Sequence, residues 1–392
     1  MTSVSGASPP AARARSPLRR IGVHVGVILY SIAIFLALDF AYSTWINSEA
    51  SPRIALRQFD HGLLPNFDGY ARFGEFRYRF ITDSLGFRDA ATRQVPLKSD
   101  QRRVLIIGDS VTEGMVVSYE ESFAGLLERA GQDAPVRTEF LNAAVTSYSP
   151  AIYYAKIKYL LDSGLKFDEV VVLPDISDVQ DEATSYFCID EDPQYRRRCR
   201  NPNPDALDAA HPDFAPTTGT TRSDLWLERH FVVTDLVRML IKTEVQWLRD
   251  GRRANSVAWN PRAGWTIPGY RIDDTYEPLG IDGGIARAKQ NMQKLADLLR
   301  ARNIPLTVAV YPWPLQLALD DRDSRQAHIW RDFCAGNCKD FIDLFPVFFA
   351  EKDLHDDWYR RLFITGDLHP SAAGNRLIFE HLARHLLPGS PH

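Results

Sequence analysis

A parallel β-sheet covered by helices on both faces is the fold class this sequence predicts. Two observations carry that expectation. From Arg103 onward short apolar runs alternate with longer helical patterns, and the first run, Val104-Leu105-Ile106-Ile107, ends in Gly108 as a strand entering a turn does. The alternation places strands at 103–108, 137–142, 169–174, 305–311 and 340–344, and helices at about 120–131, 150–163, 281–302 and 371–386.

The punctuation agrees. Ser149-Pro150 supplies an N-cap residue and a first-turn proline for the second helix, Asp282-Gly283-Gly284 opens the third, and Asn303 closes it before Ile304-Pro305. Right-handed crossovers then bring the carboxyl ends of the strands to one edge, with Ser110, the 142–149 loop and the 174–182 loop along it.

Residues 183–280 break the alternation and read as a lid-like insertion. Its first part holds Pro193 and Arg196-Arg197-Arg198, a solvated run. Its second part, Asp224 to Asp250, spaces Leu225, Phe231, Leu236, Leu240, Val245 and Leu248 as an amphipathic helix. No internal repeat is visible.

The chain has 392 residues, 45% of them hydrophobic and 24% charged, enough for one large α/β domain with an insertion. A net charge of −4 gives no reason to expect nucleic acid as a partner. The N-terminus differs in kind. Arg13, Arg15, Arg19 and Arg20 precede the apolar stretch Ile21 to Leu38, and no acidic residue occurs before Asp39. The expected organisation is a basic cytoplasmic tail at 1–20, a transmembrane anchor at 21–43, a lead-in at 44–100 with few long periodic runs, and the α/β domain at 101–392, outside the inner membrane. A cleaved signal peptide is the competing reading, with small residues around Ala41-Tyr42-Ser43.

Four cysteines fit export: Cys188 with Cys199 and Cys334 with Cys338 predict two local disulfides, against a metal-site reading of Cys334-x3-Cys338. No cofactor or metal is expected, and the oligomeric state is open.

The chemistry sits in two motifs. Gly108-Asp109-Ser110 closes the first strand, and Asp367-Leu368-His369-Pro370 stands before the last helix. Serine is a poor nucleophile near neutral pH, so an imidazole must take its proton and a carboxylate must hold that imidazole in the right tautomer. Ser110, His369 and Asp367 are the candidates, with Asp343 the alternative acid. Each has a bland reading, Ser110 as a helix N-cap and His369 as a capping residue before Pro370-Ser371. Asp178, Asp181 and Glu182 read as solvated loop carboxylates, with a calcium role as the rival. Trp226, Trp247, Trp259, Trp265, Tyr270 and Tyr276 are candidates for a lid core or for stacking on sugar rings, and Tyr311-Pro312-Trp313-Pro314 for lining a pocket.

These motifs resemble the blocks of the SGNH (GDSL-type) hydrolases. Gly108-Asp109-Ser110 is similar to the first block, Asn142-Ala143-Ala144-Val145-Thr146-Ser147-Tyr148 to the second, Asp175-Ile176-Ser177-Asp178 to the third and Asp367-Leu368-His369 to the last. The resemblance implies a flavodoxin-like three-layer α/β/α domain. It also implies an esterase or O-acyl-modifying activity, as in envelope-anchored members that handle acylated carbohydrate. Ser147 or Ala144 stands where those proteins carry the oxyanion glycine, and Ser177 where they carry the oxyanion asparagine. Gly366 stands where many of them carry the triad aspartate, so Asp367 takes that role here. A catalytically weak scaffold of a polysaccharide assembly complex is the rival that these departures favour.

Overall fold

In the computed structural model, residues 17–46, 52–56, 58–73, 76–186, 231, 233–234, 237, 257–272 and 276–387 are described. Five strands form one parallel sheet: β5 (Arg102–Gly108), β6 (Thr138–Asn142), β7 (Glu169–Leu173), β8 (Leu306–Val310) and β9 (Asp340–Asp343). Their spatial order is β6-β5-β7-β8-β9, the flavodoxin-like order. The five expected strands all form, each within about two residues of its predicted ends.

The local physics is direct. Residues 103–108 and the whole of β7 are buried, so both faces of these strands meet side chains and an alternating pattern would leave polar groups unpaired. Gly108 has no tolerance for a side chain. A Cβ there would lie 2.3 Å from Thr112 Oγ1 and 2.9 Å from the Leu173 carbonyl oxygen, so glycine allows the ends of β5 and β7 to sit side by side.

Helices Phe123–Asp133 and Ala372–Leu386 pack together, while Pro150–Asp162 packs on Gly280–Arg300. Because the chain leaves β5 toward β6 and then turns back to β7, right-handed crossovers put these two pairs on opposite faces. The point where the order reverses lies at the carboxyl ends of β5 and β7, which is where a crevice opens in sheets of this kind.

The lead-in is more ordered than its sequence pattern suggests. It forms two antiparallel hairpins, β1 (Arg53–Leu56) with β2 (Asp60–Leu63) and β3 (Asp68–Phe73) with β4 (Phe76–Ile81). Phe59, Leu63, Ala71, Tyr78, Phe80 and Phe87 are buried in the same core as the sheet. The buried Arg88 guanidinium bonds the carbonyls of Glu113, Gly114 and Val117, stitching the lead-in to the turn after β5. These strands are four to six residues long; β4 carries a period-2 signal, Phe76-Arg77-Tyr78-Arg79-Phe80, whereas β1 to β3 carry none.

The N-terminal helix, Pro17–Ala41, continues as a π-helical turn, Tyr42–Ile46. Its stretch Gly22–Trp45 is long and apolar enough to cross a membrane, with mean hydropathy 2.1. Near its end Asp39 accepts hydrogen bonds from Ser43 Oγ and from the backbone N–H groups of Val233 and Thr234.

Cys334 and Cys338 are disulfide-bonded. The proposed Cys188–Cys199 pair, Arg196 to Arg198, Trp226, Trp247 and nearly all of the expected 224–250 helix lie outside the described residues.

Candidate active site

Ser110 opens a short helix, Ser110–Glu113, directly after β5. The N-cap is Asp109, whose carboxyl Oδ1 accepts the Ser110 N–H at 2.6 Å. The capping role belongs to the neighbour, which leaves the buried Ser110 hydroxyl without a structural task.

Asp367 and His369 are both buried. His369 Nδ1 lies 2.5 Å from Asp367 Oδ1, which also accepts the His369 backbone N–H at 2.9 Å. A carboxylate on Nδ1 places a proton there and leaves the Nε2 lone pair free. Nε2 is buried and has no hydrogen-bond partner, so Ser110 does not bond it here. Burial pushes the Asp367 carboxyl up, but the hydrogen bond and charge of His369 outweigh it, and the net shift is downward.

The loop is held from below by Tyr359, whose hydroxyl accepts the N–H groups of Gly366 (2.7 Å) and Asp367 (3.1 Å). Gly366 takes a left-handed φ of 86°, so glycine there serves the turn and the carboxylate moves one residue on. The cap of the following helix is Ser371, which accepts the Gly374 N–H; His369 therefore has no capping role. Asp343 pairs instead with Arg331 at 2.9 Å and accepts the Phe345 N–H. Asn375 Oδ1 accepts the N–H of Phe123, tying the start of the last helix to the start of the helix that leaves the carboxyl edge of β5. His369 thus stands on the edge that carries Ser110, with the Phe73 ring 5.5 Å away edge-on.

Ser147, not Ala144, is the glycine-like position of the second block: its φ is +62°, whereas the Ala144 N–H bonds Asn142 Oδ1 at 3.2 Å. The Ser110 and Ser147 N–H groups both point at Asp109 Oδ1, and Ser177 Oγ lies 3.2 Å from Asp109 Oδ2. All three groups meet the Asp109 carboxyl, the two N–H groups at Oδ1 and the Ser177 hydroxyl at Oδ2.

Ser177 is compromised as a donor. Its hydroxyl has one proton, and Asp175 Oδ1 lies closer, at 2.7 Å. Burial and the charges of Asp175 and Asp181 push the Asp109 carboxyl well above the usual range.

Several expectations need correction here. Asp178, Asp181 and Glu182 are buried residues of a helix, Asp178–Thr184, rather than solvated loop carboxylates. Glu182 ties Ser149 Oγ, Ala151 N and Asn291 together, and Arg262 pairs with Asp181 at 2.7 Å. Tyr311 and Trp313 do not line a pocket; both are buried and donate to Asp175 Oδ2, at 2.5 and 2.9 Å. Trp265 and Tyr276 are core residues bonded to the Ile176 and Arg262 carbonyls, while Trp259 is 40% exposed. Among the described residues, Asp109, Asp175 and Asp178 are the group able to hold a cation, with carboxylate oxygens within 4.8 Å of one another.

Arg53, His61, Arg262 and Tyr359 carry no motif, and their roles come from contacts across 8 to 93 positions of sequence.

No family model matches the chain, and no curated protein does. Solved structures similar to it include an acetyl xylan esterase, AlAXEase, with 14% identity and a TM-score of 0.41 over 73% of this chain and all of that one. A catalytic mutant of Axe2, an acetylxylan esterase from Geobacillus stearothermophilus, has 10% identity and a TM-score of 0.37 over 74% and 95%. TesA has 12% and 0.38 over 73% and 99%.

Proposed function

We propose that this chain is a serine-dependent ester hydrolase or O-acyl-modifying enzyme of SGNH type, anchored in the inner membrane and acting outside it on acylated envelope carbohydrate. The observation that carries the reading is the buried Asp367–His369 pair with Nε2 unbonded, on the same sheet edge as a serine that has no capping duty.

Ser110 Oγ attacks the ester carbonyl carbon as its proton passes to His369 Nε2, and Asp367 stabilises the imidazolium. The carbonyl oxygen becomes an oxyanion facing the N–H groups of Ser110 and Ser147, which the Asp109 carboxyl must release as the ester enters. The C–O bond to the alcohol breaks and the alcohol leaves with the proton from His369. Water then completes hydrolysis of the acyl-serine, or a sugar hydroxyl accepts the acyl group.

The apolar Gly22–Trp45 stretch behind a basic leader supports the anchor. A reporter fused after residue 60 tests it, with activity expected only outside the inner membrane.

Incubation with a fluorophosphonate probe and mapping of the adduct tests the chemistry. Label on Ser110, absent in Ser110→Ala, is the expected result; an unlabelled parent sinks the reading. Ser177, whose proton is committed to Asp175, favours the second reading, a weak or inactive scaffold of a polysaccharide assembly complex.

A further inference from the structure

We propose that the first lead-in hairpin is part of the reaction machinery, with Arg53 as the positioning residue that sets the Ser147 N–H in place. The inference rests on the serine-hydrolase reading above and adds an element that lies outside all four blocks.

Ser147 takes a left-handed backbone conformation without being glycine. Such a position is strained and persists only where neighbours over-determine it. Ser147 itself is held by Asp109 Oδ1, which accepts its N–H, and by the Tyr186 hydroxyl, which donates to its carbonyl at 3.1 Å, and the residues on either side are held as well. Glu113, the last residue of the helix that Ser110 opens, accepts the Thr146 N–H at 2.6 Å and the Thr146 hydroxyl at 3.0 Å. Arg53 grips that carboxylate with two nitrogens, at 3.0 and 2.8 Å, and adds a third bond to Thr146 Oγ1 at 3.1 Å.

From the next strand of the same hairpin, His61 Nε2 bonds the Thr146 carbonyl at 2.9 Å, and the His61 carbonyl accepts the Tyr148 hydroxyl at 2.6 Å. The residue before Ser147 and the residue after it are thus both held by the hairpin. The two N–H groups that face the oxyanion position belong to Ser110 and Ser147. Glu113 physically joins the segments that carry them, and Arg53 fixes Glu113.

The pair is built for this. The Glu113 side chain is fully buried and the Arg53 side chain is 28% exposed. Burial alone would push the Glu113 carboxyl up, but the charge and hydrogen bonds of Arg53 bring it below the usual range. A planar, two-pronged guanidinium fixes the orientation of a carboxylate in a way a lysine ammonium cannot.

The experiment uses the full chain and three readouts. For Arg53→Ala, kcat on a short aryl ester should fall on the order of 10²-fold with KM within about twofold, as for the loss of one oxyanion donor. Amide exchange of the peptide spanning 143–149 should quicken while that of β7 stays parental, and added guanidinium should restore part of kcat. Arg53→Lys, which keeps the charge, should fall between the two and guards against a misfolded alanine variant. Parental kcat and parental exchange in Arg53→Ala would overturn the proposal, as would a loss carried by KM alone. If the parent itself takes no label at Ser110, the esterase reading fails separately, and the exchange comparison still decides whether Arg53 holds the loop.

Discussion

Two buried carboxylate sites flank the same sheet edge, and their environments push them in opposite directions. Asp367 faces one histidine and the backbone N–H groups of its own loop, and despite burial its carboxyl is held below the usual range. Asp109 and Asp178 face Asp175 and Asp181, and burial with those like charges raises both well above it. Burial is common to the two sites, so the sign is decided by what the carboxylate looks at. One carboxylate has a histidine for a neighbour; the other two have carboxylates.

The consequence for stability is opposite too. Asp367 contributes stability that is present above the unfolded carboxylate range and is lost as pH falls through its lowered value. Asp109 and Asp178 contribute stability that is present below that range and is lost as pH rises through their raised values.

The largest effect that sharpens this contrast is on rate. Asp367→Asn should lower kcat by on the order of 10⁴, because an amide permits the wrong imidazole tautomer and cannot stabilise the imidazolium. Asp343→Asn should leave kcat at the parental level. Steady-state kinetics of the two variants, with the order reversed, would transfer the triad acid to Asp343.

Next in size is a gain. Asp178→Asn keeps an acceptor for the Tyr153 hydroxyl and removes a carboxyl that must otherwise ionise among like charges. Denaturant melts should show it more stable than the parent by about 1 kcal/mol at pH 8 and no more stable at pH 4. A loss at both pH values would mean that the cluster needs its full charge.

Glu182 gives a smaller, pH-resolved effect. Burial raises it to about 7, against hydrogen bonds from Ser149, the Ala151 N–H and Asn291. Its stabilising contribution is complete below about 4.5 and lost as pH rises through about 7. The melting temperature of Glu182→Gln should therefore depend less on pH across that window than that of the parent. Parallel curves would show that Glu182 titrates as an ordinary carboxylate.

The smallest expected rate effect is at Ser177. With its proton on Asp175, Ser177→Ala should leave kcat within about threefold while costing about 1 kcal/mol of stability. A loss on the order of 10²-fold would restore Ser177 as an oxyanion donor.

The sheet was legible because its central strands, β5, β7 and β8, are mostly apolar on both faces and separated by helical runs, a pattern that depends on neighbours in sequence. The same holds for the N-terminal span, for Gly108-Asp109-Ser110 and for Asp367-x-His369, where one residue between the partners lets Nδ1 reach Oδ1 within a single loop. The lead-in hairpins were only partly legible: β4 alternates apolar and polar residues from Phe76 to Phe80, whereas β1 to β3 carry no such period.

Sequence alone determined the order of the five sheet strands and of the four helices expected between and after them, the candidate nucleophile and the Asp367–His369 pair, because each is written in adjacent residues. Tertiary structure decided what the carboxylates do. Asp178 and Tyr311 look like surface and pocket residues in sequence, and only the convergence of β5, β7 and β8 buries them around Asp175. It also decided that Arg53 and Glu113, 60 positions apart, form one clamp on the Ser147 segment. Charge partners at that separation leave no trace in local pattern, since electrostatic energy depends on distance in space and on the water excluded between them.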